Sequence, residues 1–162
     1  MNMKCALNTT LTKESLCNKF IYSDGALFRK NSGKRAGTIN STGRRQINIG
    51  KKLYKEHRLI FLMHHGFLPK EIDHIDGNPL NNKIGNLREA SRTQNNANQK
   101  IRKDNSSGAK GVSWVKSRDQ WAAYSCINGK KQYAGYYKDL NAAVTAVKEL
   151  RKAQHGAFTN HG

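Results

Sequence analysis

The sequence predicts an α+β protein: β-hairpins and a strand, loop, strand and helix in the first hundred residues, then a three-stranded antiparallel sheet packed on one helix. Three observations carry this reading. Short apolar runs bounded by turn residues recur at Phe20-Ile21-Tyr22, Ala26-Leu27-Phe28 and Gln46-Ile47-Asn48-Ile49, and again beyond Gly111, as paired strands do. Two stretches, Tyr54 to His65 and Leu140 to His155, instead space apolar side chains three and four apart, the stripe of an amphipathic helix. The length of 162 residues suits two small modules better than one large core.

The elements follow in order. Residues 1–19 carry no assigned role, although Thr12 could cap a short helix through Leu16. Ser23-Asp24-Gly25 joins the first hairpin. Ser41-Thr42-Gly43 joins a second, between Gly37-Thr38-Ile39 and Gln46 to Ile49, with Arg44 and Arg45 beside its turn and facing solvent or phosphate. The helix from Tyr54 to His65 stops at Gly66. After Pro69 the chain is extended to Asp73, turns at Asp76-Gly77-Asn78-Pro79 and returns over Asn86 to Ala90. Ser91-Arg92-Thr93-Gln94 has the form of a capping box and opens a helix to about Lys100. Residues 101–110 read as a basic linker. Strands at Gly111 to Lys116, Gln120 to Ile127 and Lys131 to Tyr136 come next, joined by Ser117-Arg118-Asp119 and Asn128-Gly129. Asp139 caps the last helix, Leu140 to His155, and Gly156 ends it.

Charge narrows the partner. Lys and Arg number 29 against 11 Asp and Glu, a formal net charge of +18, which favours a polyanion held in a salt-dependent way. Both halves are basic, with 18 basic and 7 acidic residues in 1–100 and 11 and 4 in 101–162. Double-stranded DNA is the expected partner, without a membrane or an obligate protein partner. Cys5, Cys17 and Cys126 never form a Cys-x-x-Cys pair, which argues against a disulfide framework or zinc ribbon. No apolar run is long enough for a bilayer, and Met1 to Leu11 lack a secretory hydrophobic centre. The expected location is the cytoplasm, that of the host cell if the protein is phage-encoded.

The chemistry concentrates in Asp73-His74-Ile75-Asp76-Gly77-Asn78, followed by Asn81-Asn82, Asn86-Leu87 and Thr93-Gln94-Asn95. This spacing closely resembles the HNH endonuclease family, in the branch of phage and intron-encoded homing enzymes, and implies a ββα-metal module over residues 20–100. The resemblance implies His74 as general base, since neutral imidazole accepts a proton near neutrality. Asp73 and the Asn95 side-chain oxygen are hard donors suited to one divalent cation, Mg²⁺ first and Mn²⁺ second. Asn96 is adjacent, but the distance from His74 and a place in the first helical turn favour Asn95. Asn86 corresponds to the family's middle asparagine, which ties down the loop and the histidine, and Asn82 is a second brace. His57-Arg58 matches a His-Arg pair of the subfamily: Arg58 is a candidate phosphate contact, and for His57 a packed histidine and an active-site role stay equally open. Adjacent strand residues point to opposite faces, so Asp73 and His74 can converge only where the strand end bends.

In the second module, Asn105-x-Ser107-Gly108-x-x-Gly111-Val112, Trp121-Ala122-Ala123, Gly135-Tyr136-Tyr137 and His155-Gly156-x-Phe158 resemble the plant Apetala-two/ERF DNA-binding domain, over nearly all of 105–160. That family lays its sheet in the major groove with the helix behind. Alternation sends Val112, Trp114, Trp121 and Ala123 to the helix and leaves Ser113, Tyr124, Cys126, Lys131 and Tyr133 for DNA. Lys116, Arg118 and Lys130, in or near turns, suit phosphate contact. The first strand presents Ser113 and Val115 where that family has arginines, so backbone positioning is expected more than guanine reading. Together the modules read as a site-specific, metal-dependent homing endonuclease, with a non-catalytic DNA-binding regulator on an inert HNH fold as the alternative.

Overall fold

The computed structural model describes residues 11–127 and 129–161. Cys5 and the first ten residues of the N-terminal segment, together with Asn128 of the last strand turn, lie outside the described residues. The protein is α+β, and its contacts divide it between Glu89 and Ala90 into two compact units.

In the first unit, Thr12 caps helix α1 (Lys13–Lys19) through a reciprocal box with Ser15. Strands β1 (Phe20–Ser23) and β2 (Ala26–Arg29) pair antiparallel from Phe20↔Arg29 to Ser23↔Ala26. Strands β3 (Thr38–Ile39), β4 (Arg45–Ile49) and β5 (Lys52–Lys55) form a second sheet in that order. The strand β5 corrects the sequence expectation, because Tyr54 lies opposite Ile47 in the sheet and the helix begins two residues later. Gly50 and Lys51 both take positive φ, 57° and 67°, as two-residue hairpin turns require. A lysine in that conformation gives little warning in the sequence.

Helix α2 (Glu56–His65) follows at once and ends on Gly66 at φ 77°. Leu59, Ile60, Leu62 and Met63 join one core with Leu16, Leu27, Ile47, Ile72 and Leu87. α2 thereby backs the two-stranded sheet of β6 (Glu71–His74) and β7 (Leu87–Ala90), which a short 3-10 turn at Ile84–Asn86 precedes. That pair of strands carries Asp73 and His74.

The second unit starts with α3 (Arg92–Ala97), whose N-cap Ser91 forms the expected box with Gln94. The helix ends at Ala97, short of Lys100. Its last carbonyls are taken by side chains instead of another turn: Lys110 Nζ and Arg151 Nη2 donate to the Ala97 oxygen at 2.9 and 3.1 Å, and Asn160 Nδ2 to that of Asn98 at 2.8 Å. Cations suit the carboxyl end of a helix dipole, although burial, with the nearby Arg151 charge, pushes the Lys110 ammonium down to about 8. The segment read as a linker is tied down by side-chain bonds, Asn105 Nδ2 to the Ala109 oxygen at 3.1 Å and Ser107 Oγ to the Val112 oxygen at 2.8 Å.

Strands β8 (Val112–Val115), β9 (Gln120–Ile127) and β10 (Lys130–Tyr137) form an antiparallel sheet in the order β10-β9-β8. Helix α4 (Leu140–His155), capped by Asp139 through a 2.7 Å bond from the Ala142 N–H, packs Ala143 and Val147 on Val112 and Ala123. Trp121 and Tyr137 close the edges of this core. Trp114 does not join it and stays 41% exposed, edge-on to Trp121 at 5.0 Å. It stands on the edge strand β8, whereas α4 lies chiefly over β9 and β10.

Gly111 allows the sheet to close. It has φ 81°, and a Cβ there would sit 2.3 Å from the Tyr124 carbonyl oxygen and 2.9 Å from Val147. Gly111→Ala should therefore destabilise the protein by about 2 kcal/mol or more in denaturant unfolding. A loss under about 0.5 kcal/mol would show that the close approach is not tight.

Candidate active site

Glu56 is the first residue of α2 and is fully buried, at 0% exposure in a strongly basic stretch. An ion so enclosed persists only when it is paired and hydrogen-bonded. Its Oε1 accepts the Leu27 backbone N–H at 3.0 Å, and Arg35 Nη2 lies 3.3 and 3.2 Å from the two oxygens. Arg45 Nε stands 3.9 Å from Oε2, and the Asn82 amide donates to that oxygen at 2.9 Å. Asn82, 2% exposed, turns its Oδ1 to His74 Nε2 at 2.9 Å. Asn82, expected as a brace, thus stands between His74 and a carboxylate that sequence reasoning passed over. The available signal was a lone acid in Lys51-Lys52-Leu53-Tyr54-Lys55-Glu56-His57-Arg58.

His74 and His57 are both buried, with their rings edge to face at 5.0 Å. Burial lowers the His74 pKa, the Asn82 bond opposes it, and the Arg44 charge lowers it further. Burial pushes His57 down to about 3, with the charges of His74, Arg44, Lys55 and Arg58 adding to the effect. Both shifts favour the neutral imidazole, the form in which a ring nitrogen can take up a proton.

Asp73 is buried as well and pairs with Arg88 of the neighbouring strand, Nε and Nη2 lying 3.0 and 2.9 Å from Oδ2. Asn86 works on the loop. Its Oδ1 accepts the Asp76 N–H at 3.1 Å, and its Nδ2 donates to Asp76 Oδ1 at 2.9 Å and to the Asn81 carbonyl at 2.8 Å. Asp76 also accepts from the Asn78 N–H at 2.8 Å and from Asn81 Nδ2 at 2.7 Å. Slight burial would raise the Asp76 carboxyl, but these donors hold it below the ordinary value. Asp76 is thus the centre of the turn, as its place before Gly77 predicts.

The basic candidates of this unit divide. Arg45 turns inward, donating to the Gly37 carbonyl at 2.7 Å besides approaching Glu56, which differs from the solvent-facing position expected of it. Arg58 donates to the Pro69 and Lys70 carbonyls at 3.1 and 3.3 Å, fixing the entry to β6. Arg44 is half-buried, and its charge acts on both histidines. Asn95 lies in the first turn of α3, in the second unit, and its N–H donates to the Ser91 carbonyl at 2.9 Å. Among the described residues no three His, Cys, Asp or Glu side chains gather into a metal-binding group. Carboxylate and amide oxygens fit a hard cation that keeps much of its water shell.

On the face of the second sheet away from α4, Tyr124 meets Tyr133 at 5.7 Å, and Tyr133 stacks on Tyr136 at 5.8 Å and 16°. Lys131 Nζ lies 4.3 Å above the Tyr124 ring and the Arg118 guanidinium 4.4 Å from that of Tyr136. Ser113 is half-buried on the same face, and Lys116 and Lys130 are exposed. Tyr136 was not among the expected contacts. A register shift between Tyr133 and Gly135 places it opposite Ala122, on the tyrosine side, where strict alternation would have turned it inward.

The buried neutral His57 has a pH consequence. Its folded pKa of about 3 lies below the ordinary 6.5, so the unfolded chain takes up the proton first and stability is lost as pH falls from 6.5 toward 3. The slope for this one group approaches ~1.4 kcal/mol per pH unit. Thermal unfolding of His57→Leu should show a shallower acid decline than the parent, and equal slopes in the two proteins would remove His57 as the cause.

Known proteins resemble this segment and much of the chain. The HNH endonuclease family matches residues 54–97, from Tyr54 through Asp73, His74, Asn82 and Asn86 to Asn95. Protein 3.8 of Escherichia phage T7 is 40% identical over 113 residues, covering 67% of this chain and 93% of that protein. No solved structure matches the chain. The HNH match spans the division between the two compact units, since it begins in β5 and ends with α3. The chain carries an HNH endonuclease domain at residues 54–97 and belongs to the family of phage T7 Protein 3.8.

Proposed function

We propose that this protein is a site-specific DNA endonuclease of the phage homing type, hydrolysing phosphodiester bonds by a one-metal HNH mechanism. The observation that carries the reading is a buried His74 whose ring is held by Asn82 inside the segment that matches the HNH family. His74 takes a proton from the attacking water. Asp73 and Asn95, both within the matched segment, supply oxygen ligands to one divalent cation, Mg²⁺ or Mn²⁺. When bound, that ion stabilises the charge developing on the scissile phosphate. Asn86 keeps the loop after His74 closed on Asp76, and His57 shields the other side of the ring.

The module from residue 111 onward grips flanking duplex in the manner of an Apetala-two/ERF domain. Three strands backed by one helix support that comparison, as does the tyrosine and cation face. Ser113, Tyr124, Lys131 and Tyr133 meet the DNA, and Lys116, Arg118 and Lys130 contact phosphates, with Arg44 and Arg58 serving the nuclease module. One observation favours the non-catalytic regulator: Arg88 already neutralises the Asp73 carboxylate.

Supercoiled plasmid separates the two readings. The protein should nick it in Mg²⁺ and not in chelator, and His74→Ala should lose cleavage by at least about 100-fold while still shifting DNA in gels. Equal activity of parent and variant, or none in either with any divalent cation, removes the nuclease reading. For the second module, Lys131→Ala should weaken DNA binding and lower the slope of log K against log salt by about one. An unchanged slope would take Lys131 off the phosphate backbone.

A further inference from the structure

We infer that Glu56, acting through Asn82, selects the tautomer of neutral His74, placing the proton on Nε2 and the lone pair on Nδ1. The inference deepens the nuclease reading and rests on it for its catalytic meaning. It makes Glu56 a positioning residue, since its carboxylate touches neither water nor the reacting atoms.

The donor and acceptor roles from Glu56 to His74 are forced one after another. Each partner of the Glu56 carboxylate is a donor: the Leu27 N–H, the Arg35 and Arg45 guanidinium groups and the Asn82 amide. A carboxylate in that setting only accepts, so the end of Asn82 that faces it must be the NH₂. The other end, Oδ1, then faces His74 Nε2 at 2.9 Å. An amide oxygen cannot donate, so a neutral imidazole makes this bond only with its proton on Nε2. Glu56 at 0% and Asn82 at 2% exposure leave no room for solvent to exchange these roles. The Leu27 N–H and Arg35 hold Oε1, while Arg35 and Arg45 share Oε2 with Asn82, so the directional order begins in β2 and ends at the base. The bond from Gly77 N–H to the His74 carbonyl, 2.8 Å, holds the backbone of the same residue, so ring and main chain are oriented independently.

Glu56→Gln tests the order without emptying the site. The new amide keeps its oxygen on the Leu27 N–H and Arg35 and turns its NH₂ to Asn82, which must rotate to offer its own NH₂ to His74. Nε2 then has to accept, and the proton moves to Nδ1. Adding Asn82→Asp to that variant restores the original order, because the amide at position 56 donates to the new carboxylate at position 82, and that carboxylate accepts from Nε2.

Nitrogen-15 chemical shifts and long-range proton couplings of the histidine rings in the full chain read the tautomer directly, with the His74 signals identified by their loss in His74→Ala. In the neutral form the parent should show a pyrrole-type Nε2 and a pyridine-type Nδ1. Glu56→Gln should exchange the two patterns and slow single-turnover cleavage by about 10-fold to 100-fold, with DNA affinity unchanged within about twofold. The double variant should return the parental pattern and most of the rate. A parent carrying the proton on Nδ1 overturns the inference whether or not any variant folds, as does a folded Glu56→Gln protein that keeps the Nε2–H pattern. If the parent shows the expected pattern but cuts no DNA with any divalent cation, the nuclease reading falls and the tautomer assignment stands.

Discussion

The first unit depends on one buried negative charge. Glu56 begins α2, yet its carboxylate binds the backbone of β2, the arginines of two other segments and the asparagine of the loop after β6. No apolar side chain could join these elements, because the Leu27 N–H and the Asn82 amide offer donors that burial would otherwise leave without a partner, at about 1–3 kcal/mol apiece. The ion itself could not be buried without them. The arrangement therefore stands as a whole. It also explains why Arg45 turns away from solvent in a chain whose cations otherwise suit a polyanion.

From that centre the site is built by adjacency. α2 continues from Glu56 into His57, β6 brings Asp73 and His74 under the helix, and the loop returns Asn82 to close the circuit. Asn86 acts one step further out, on Asp76 rather than on the imidazole. The two asparagines thus have different work: one orients a ring, the other holds a turn shut. Hydrogen bonds to charged acceptors are the stronger kind, and both asparagines donate to carboxylates.

Much of this was legible in the chain. The hairpin at Asp24-Gly25, the Ser91 box, the Asp139 cap and the stop at Gly66 follow from local rules that tertiary context did not override. The spacing from Asp73 to Asn95 pointed to the same segment that the HNH match covers. What escaped notice depends on partners distant in sequence. Tyr54 entered a strand because Lys51 accepts a conformation rare for its type. Glu56 looks like an ordinary acid of a first helical turn until Leu27 and Asn82 are seen beside it. The end of α3 at Ala97 is set by Lys110 and Arg151, 13 and 54 residues away, and Trp114 remained outside because strand parity does not say how far a helix reaches across a sheet.

The displaced register in β10 has a consequence for how this surface could change over generations. Ala134 is an extra residue between Tyr133 and Gly135 in the pairing with β9, and it acts as a half-step that puts two aromatic rings three positions apart on one side. A single-codon deletion of Ala134 would restore plain alternation and leave Tyr136 opposite Ala122, whereas one residue inserted between Gly135 and Tyr136 would send Tyr136 toward the helix and Tyr137 outward. Mutational drift should therefore tolerate exchanges of side chain along β10, and even loss of Ala134, far better than any other single-residue change in its length.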